Sequence, residues 1–226
     1  DRFVVLTKAD KEDWEKVRPD VEQIYNPLTF VSDEVSPLTG KRCVAVGRLE
    51  EQKNFKDLIK AWKTVDGRHP DWTLSIFGKG SQENELRNLI KDSGLAGKVI
   101  LEGGTSDIRK ELLDSSCLVM SSRYEGFPMV LLEALTTGLP IVSYDCPKGP
   151  SEIVTIGANG YLAKVGDTGT LAQGICSVIA NEDLRRRFGA ESKRRSENFT
   201  LEKTMERWDR LFSSLTTSRT RTSPEG

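Results

Sequence analysis

Histidine is almost absent from this chain, which has one, His69, among 226 residues. His69 precedes Pro70 in a predicted loop, and nothing nearby would orient its ring, so we expect a surface residue and not a general base. The four cysteines form no C-x-x-C pair and have no histidine beside them, so no zinc or other metal site is predicted. Cys43 and Cys117 lie in strand-like runs and fit small buried residues in a protein of a reducing compartment.

Long apolar runs are also absent. No stretch approaches the roughly 20 residues that cross a bilayer, and no secretory-signal pattern is recognisable. We therefore expect a cytoplasmic protein, with a peripheral position at the inner face of the membrane as an alternative. The net charge of −1 provides no global field toward nucleic acid.

Short apolar runs alternate with segments of helical periodicity along most of the chain. Strands are predicted over 43–46, 72–77, 99–101, 118–120, 140–144 and 161–163, and each is followed by a predicted helix. This repetition predicts an α/β fold, with a Rossmann-like parallel sheet and helices on both of its faces. Ligands of such sheets bind at the carboxyl ends of the strands.

Helix starts are indicated at three places. Asp10 and Asn54 fit the N-cap position, where a side-chain oxygen accepts a hydrogen bond from the first turn. Pro128 fits the first helical position, because proline has no N–H group to leave unpaired.

The segment 121–135 joins a polar turn to an apolar helix. The N–H groups of Met129 and Val130 would point out of the helix start, where the helix dipole favours an anion. Glu133 follows one turn later among apolar neighbours, so it needs a partner. This segment alone leaves two interpretations open, a ligand hydroxyl or a distant arginine with a purely structural role.

Two other turns are predicted at the same sheet edge. Arg48 and Lys53 follow the strand 43–46 and suit a diphosphate, although they also fit solvated cations paired with Glu50 or Glu51. Gly78 and Gly80 form a turn that can approach a phosphate or sugar, and a plain connection is at least as compatible with it.

Residues 123–134, RYEGFPMVLLEA, resemble the E-x7-E motif of retaining glycosyltransferases of family 4, which have the GT-B fold. Val46 to Leu49 with Lys53 is similar to the family's diphosphate loop, and Asn26-Pro27 is similar to its linker motif. The segments 138–142 and 159–167 resemble its downstream motifs.

The resemblance implies a nucleotide-sugar donor, often UDP-linked, with no metal and no separate cofactor. Arg48 and Lys53 would hold the diphosphate, Glu133 the ribose hydroxyls, and Glu125 the donor sugar or the reacting centre. The segment 102–106 would flank the base. The other implied donor-binding residues are Gly47, Gly78, Gly80, Thr105, Gly126, Phe127, Pro128, Met129 and Val130.

Two departures stand out against the family pattern. Pro128 occupies a position where many members have glycine, which removes one N–H group and stiffens the loop. The segment 145–152, DCPKGPSE, resembles a subset that builds bacterial surface polysaccharides or glycoconjugates.

The length fits one half of a GT-B fold. We expect a remnant of the N-terminal domain and linker at 1–26, a nucleotide-sugar-binding Rossmann-like domain at 27–200, a crossover helix at 201–215 and a disordered tail at 216–226. The missing partner would be an N-terminal acceptor domain, so the isolated chain should bind a donor and transfer poorly or not at all. The alternatives are a non-catalytic nucleotide-sugar-binding module and another GT-B enzyme, such as a nucleotide-sugar epimerase.

Basic runs at 185–187 and 193–195 mark the C-terminal helices. Because Glu182, Asp183 and Glu191 lie close by, we expect solvated helix faces. Contact with anionic lipid or a lipid-linked acceptor is the alternative.

Overall fold

The structure is a computed structural model that describes residues 2–220, with side chains described through residue 216. The strands are β1 (Phe3–Val5), β2 (Val21–Gln23), β3 (Arg42–Val46), β4 (Thr73–Phe77), β5 (Val99–Gly103), β6 (Cys117–Met120), β7 (Ile141–Tyr144) and β8 (Gly160–Ala163). The helices are α1 (Lys8–Glu15), α2 (Phe55–Arg68), α3 (Glu83–Asp92), α4 (Ile108–Leu113), α5 (Met129–Thr136), α6 (Pro150–Ile153), α7 (Thr168–Ala180), α8 (Glu182–Ser196) and α9 (Leu201–Thr220).

Six strands form a sheet in the order β5-β4-β3-β6-β7-β8, and every neighbouring pair is parallel. This confirms the predicted α/β architecture. The strand order reverses between β3 and β6, where Cys43 lies opposite Cys117. A crevice outside the carboxyl ends of two such strands is the usual ligand site of an open parallel sheet.

The sheet separates two hydrophobic layers because alternate side chains of a strand point to opposite faces. In β3, Ala45 packs in the layer formed with α2, α3 and α7, and Val44 packs in the layer formed with α5 and α6. Helix α2 faces its layer with a stripe at helical spacing: Phe55, Leu58, Ile59, Trp62 and Val65. All four cysteines are buried free thiols, as predicted for Cys43 and Cys117.

Residues 2–26, called the N-terminal unit here, contain β1 and β2, which make a two-stranded parallel sheet distinct from the six-stranded one. The segment 145–152 holds this unit. The Glu152 carboxylate accepts from the N–H of Lys8 at 2.9 Å and from the Tyr25 hydroxyl at 2.7 Å. Lys148 lies within 2.8 Å of an Asp10 carboxylate oxygen, at the start of α1. The distinctive segment 145–152 thus has a structural role, which is to fix α1 against the larger sheet.

Two of the three predicted helix starts are wrong in detail, and the third is confirmed in position only. Thr7 and not Asp10 caps α1, with its hydroxyl accepting from the Asp10 N–H at 2.9 Å. Asn54 is the N-cap residue of α2, as predicted, but its backbone is left-handed with φ of 51°, and its side chain donates to Asp57 and makes no capping hydrogen bond. Pro128 is the N-cap of α5 and not its first helical residue, because its ψ of 95° is extended.

The basic run at 185–187 is only partly solvated. Arg186 pairs with Glu182 on the exposed face of α8, as expected. Arg185 is buried instead, and its guanidinium donates to the carbonyls of Leu38, Val178 and Ile179 at 3.2, 3.3 and 2.6 Å. It therefore joins the last turn of α7 to the segment before β3, and it is unavailable to lipid.

Helix α9 continues to Thr220, beyond the predicted end at Leu215, and residues 221–226 of the predicted tail lie outside the described residues. The helix packs back on the N-terminal unit, where Arg207 donates to Gln23 at 3.2 Å. Within residues 2–220, no helix combines the length and apolar character needed to span a bilayer.

Candidate functional site

Three loops meet at the carboxyl edge of the sheet because hydrogen bonding continues beyond the ends of the strands. The Gly47 N–H donates to the Phe77 carbonyl at 2.9 Å, and the Gly78 N–H donates to the Gly103 carbonyl at 2.7 Å. The Leu49 N–H donates to the Lys79 carbonyl at 3.0 Å. The loops after β3, β4 and β5 are thereby held side by side.

Glycine is required where the first two loops touch. A Cβ atom on Gly78 would lie 1.8 Å from the Gly47 carbonyl oxygen, and Gly78 has φ of +153°. A Cβ atom on Gly80 would lie 2.5 Å from the Leu49 carbonyl oxygen. Since Cβ atoms do not approach backbone this closely, the turn 78–80 is first of all a close contact between loops.

A cavity of about 340 Å³ lies beside this contact. Its walls combine apolar side chains from the strand ends with glycine backbone, and a single carboxylate from residues 2–216 faces it. The lining residues are Val46, Gly47, Phe77, Gly78, Gly104, Thr105, Ile108 and Glu133. An apolar cleft with few polar groups is the usual form of a small-molecule site. Four predicted binding residues, Gly47, Gly78, Thr105 and Glu133, are therefore brought together.

Glu133 reaches the cavity from α5 and is half-buried. Its Oε1 accepts a hydrogen bond from the Thr29 hydroxyl at 2.8 Å. The partner is thus neither a distant arginine nor solely a ligand. Thr29 lies 104 positions away in the chain, so local sequence around Glu133 carried no signal for it.

Lys53 and Glu125 form an ion pair at 2.6 Å, with side chains that are 18% and 9% exposed. The loops that carry them are also bonded to each other: the Ser121 hydroxyl donates to the Lys53 carbonyl at 2.8 Å, and the Arg123 N–H donates to the Gln52 carbonyl at 2.8 Å. The neighbouring Cys146 thiol has its pKa raised to about 12, mainly by its own burial and next by the negative charge of Glu125. The predicted cation and carboxylate therefore act as one unit at the switch point of the sheet.

Phe127 and Pro128 fix the start of α5. Phe127 is buried and stacks on Tyr25, with ring centroids 5.2 Å apart. The Pro128 ring packs against Gly149, where a Cβ atom would lie 2.4 Å from Pro128 Cδ. Within residues 2–220 the N–H groups of Met129 and Val130 have no hydrogen-bond acceptor, which leaves them available to an anion.

The remaining predicted residues lie outside the cavity lining. Arg48 is exposed and forms no ion pair within residues 2–220. The Ser81 hydroxyl and N–H, with a smaller contribution from Arg48, lower the pKa of Glu50. Gly126 is exposed, and Gly80 packs on Leu49.

Sequence reasoning missed two of the cavity residues, Phe77 and Ile108, and it included Val46 and Gly104 only as members of the segments 46–49 and 102–106. Val46 and Phe77 end their strands, so the rule that ligands bind at carboxyl ends could have identified them. Ile108 begins α4 and had no comparable signal.

Lys53→Met is expected to lower the free energy of unfolding by about 1 to 2 kcal/mol, because it leaves a largely buried carboxylate without its cation. Chemical denaturation of Lys53→Met, Glu125→Gln and the double variant would measure the coupling. Since each single change removes the same pair, we expect the double variant to be about as stable as Lys53→Met alone. Additive losses in the double variant would contradict the pairing.

A family model described as glycosyl transferases group 1 matches residues 30–195 of the chain. An uncharacterized glycosyltransferase of Haemophilus influenzae is 33% identical over 211 residues, which are 92% of this chain and 60% of that protein. The amylovoran biosynthesis glycosyltransferase AmsD of Erwinia amylovora is 33% identical over 180 residues, covering 80% of this chain and 50% of AmsD.

Solved structures agree with these relatives. The crystal structure of S. aureus TarM with fondaparinux, alpha-GlcNAc-glycerol and UDP matches with a TM-score of 0.87 at 26% identity. The match covers 93% of this chain and 43% of the TarM chain. The structural neighbours are GT-B glycosyltransferases, which confirms the predicted fold class, and the chain spans 60% or less of the relatives described here.

Proposed function

Because this chain belongs to the glycosyl transferases group 1 family, we propose that it is the donor-binding half of a retaining glycosyltransferase of family 4. Glu125 and Glu133 are its E-x7-E pair. The donor is a nucleotide sugar, and the complete protein transfers a hexose in the synthesis of a bacterial surface polysaccharide or glycoconjugate. The amylovoran biosynthesis role in the name of one relative supports this class of product.

The observation that carries the proposal is the cavity beside the switch point, with Glu133 as its one carboxylate. A carboxylate with two oxygens suits the neighbouring hydroxyls of a ribose, and apolar and glycine walls suit a flat base. TarM was crystallised with UDP, which makes UDP the first nucleotide to test.

The charges around α5 suit the departing diphosphate. The N–H groups of Met129 and Val130 and the dipole of α5 favour an anion, and Lys53 and Arg48 follow the adjacent strand β3. When the bond between sugar and diphosphate breaks, negative charge grows on the diphosphate, and fixed donors aimed at it lower the barrier. Glu125, held by Lys53, lies next to this region and is proposed to contact the donor sugar or the reacting centre.

The acceptor side is proposed to lie in a domain outside this chain. The relatives described above are longer, and α9 packs on the N-terminal unit β1-α1-β2 as a crossover helix would. We therefore propose that the isolated chain, a protein of the cytoplasm, binds donor and has little or no transferase turnover.

Glu133→Ala is expected to weaken UDP binding by about 10- to 100-fold, because one or two hydrogen bonds from hydroxyls to a charged group are lost. Isothermal titration calorimetry with UDP, GDP and ADP measures this and identifies the base. Glu85→Ala, on an exposed face of α3, is the matched control and should bind UDP like the unchanged chain. Equal affinity in Glu133→Ala and the unchanged chain would refute the site.

A further inference from the structure

The segment between β2 and β3 runs along α5 and is fixed both to α5 and to Phe199, which lies between α8 and α9. The Leu28 N–H donates to the Phe199 carbonyl at 2.7 Å, and the Ser32 N–H donates to the Thr136 hydroxyl at 3.0 Å. Leu28 and Phe30 also pack against the hydrophobic layer of α5. Thr29 lies between these anchors, so its position is set although its side chain is exposed.

The Thr29 hydroxyl donates to Oε1 of Glu133 at 2.8 Å. Glu133 Oε2 accepts no hydrogen bond from the part of the chain that the structure describes. One oxygen of the carboxylate is thus occupied by the protein and the other is open. The spacing repeats along the helix, since residues 29 and 32 contact residues 133 and 136.

We propose that Thr29 is a positioning residue for nucleotide binding. It fixes the Glu133 carboxylate by its Oε1, so that the carboxylate meets the hydroxyls of a bound ribose without first having to be ordered. The inference rests on the proposed function, because it assigns to Glu133 a ribose as its ligand. It adds that the segment between β2 and β3, and not only the sheet edge, determines donor affinity.

A hydrogen bond to a carboxylate is among the stronger hydrogen bonds of proteins. Without it, the Glu133 side chain can take other rotamers, and its carboxylate is no longer held in one orientation. Thr29→Val keeps the shape of the side chain and removes the hydroxyl, so we expect it to weaken UDP binding about tenfold. Thr29→Ser keeps the hydroxyl and should restore affinity to within about twofold of the unchanged chain. Thermal unfolding of the three chains should differ little, because Thr29 is exposed.

The decisive comparison uses UDP and its 2′,3′-dideoxy analogue in calorimetric titrations of all three chains. We expect the loss in Thr29→Val to disappear with the dideoxy analogue, since that ligand cannot use the Glu133 carboxylate. A similar loss with both ligands would show a merely structural effect and overturn the proposal. Equal or tighter UDP binding by Thr29→Val would also overturn it, while leaving the proposed donor site intact. Absence of UDP binding by the unchanged chain would overturn both.

Discussion

Gly78→Ala is expected to lower the free energy of unfolding by about 3 kcal/mol and to remove measurable UDP binding. The added Cβ atom would lie 1.8 Å from the Gly47 carbonyl oxygen, and φ of +153° disfavours any residue with a side chain. The loops after β3 and β4 must separate to admit it. Gly47 and Gly78 both line the cavity, so the same movement disrupts the proposed nucleotide site.

Gly67→Ala is the matched control for this change. Gly67 lies in α2, and apart from the neighbouring backbone of α2 no atom is within 4 Å of the position that its Cβ would take. Alanine is the better helix former there. We expect it to be about 1 kcal/mol more stable than the unchanged chain, with unchanged UDP affinity. Urea denaturation and calorimetry measure both quantities. If Gly78→Ala kept full stability and binding, the loop contact would not organise the site.

Arg185→Met is expected to lower the free energy of unfolding by about 3 kcal/mol. The guanidinium is buried, lies 5.2 Å from the centre of the Trp72 ring, and donates to three backbone carbonyls. Two of these carbonyls, on Val178 and Ile179, belong to the last turn of α7. A cation is stabilised there by the negative end of the helix dipole. Burial lowers the pKa of Arg185, which agrees with a charge removed from water.

Arg186→Met tests the contrast one residue along the same helix. Arg186 is exposed, and among the described side chains it pairs only with Glu182 four residues earlier, so we expect its loss to change stability by less than about 0.5 kcal/mol. Urea denaturation of both variants measures the two changes in the free energy of unfolding. Equal effects would mean that the backbone contacts of Arg185 contribute nothing beyond an ordinary surface charge.

Periodicity predicted the layered fold well, because helices such as α2 and α7 bury a stripe that local sequence displays. Helix α7, Thr168–Ala180, follows the strand predicted at 161–163, as the alternation requires. The alternation of strands and helices was likewise sufficient to predict the parallel sheet. The rule that ligands bind at the carboxyl edge led to Gly47, Gly78 and Glu133, which line one cavity.

Details that depend on long-range contacts were beyond local sequence. Arg185 has the same side chain as Arg186 and Arg187. It is the buried one because the turn between α7 and α8 places it against the end of α7. The missing cap hydrogen bond of Asn54 has a related reason, since Asn54 takes a left-handed conformation in a loop that Lys53 and Glu125 fix. The hydrogen bond from Thr29 to Glu133 depends on the path of the segment between β2 and β3 along α5, which no sequence period encodes.

A crystal structure of this chain with UDP would test the central claim most directly. We predict that the base occupies the cavity between Phe77, Thr105 and Ile108, and that the ribose hydroxyls lie within hydrogen-bond distance of Glu133. The diphosphate should meet the N–H groups of Met129 and Val130 at the start of α5. UDP bound elsewhere on the chain, or a ribose that leaves the Glu133 carboxylate without a contact, would contradict the account.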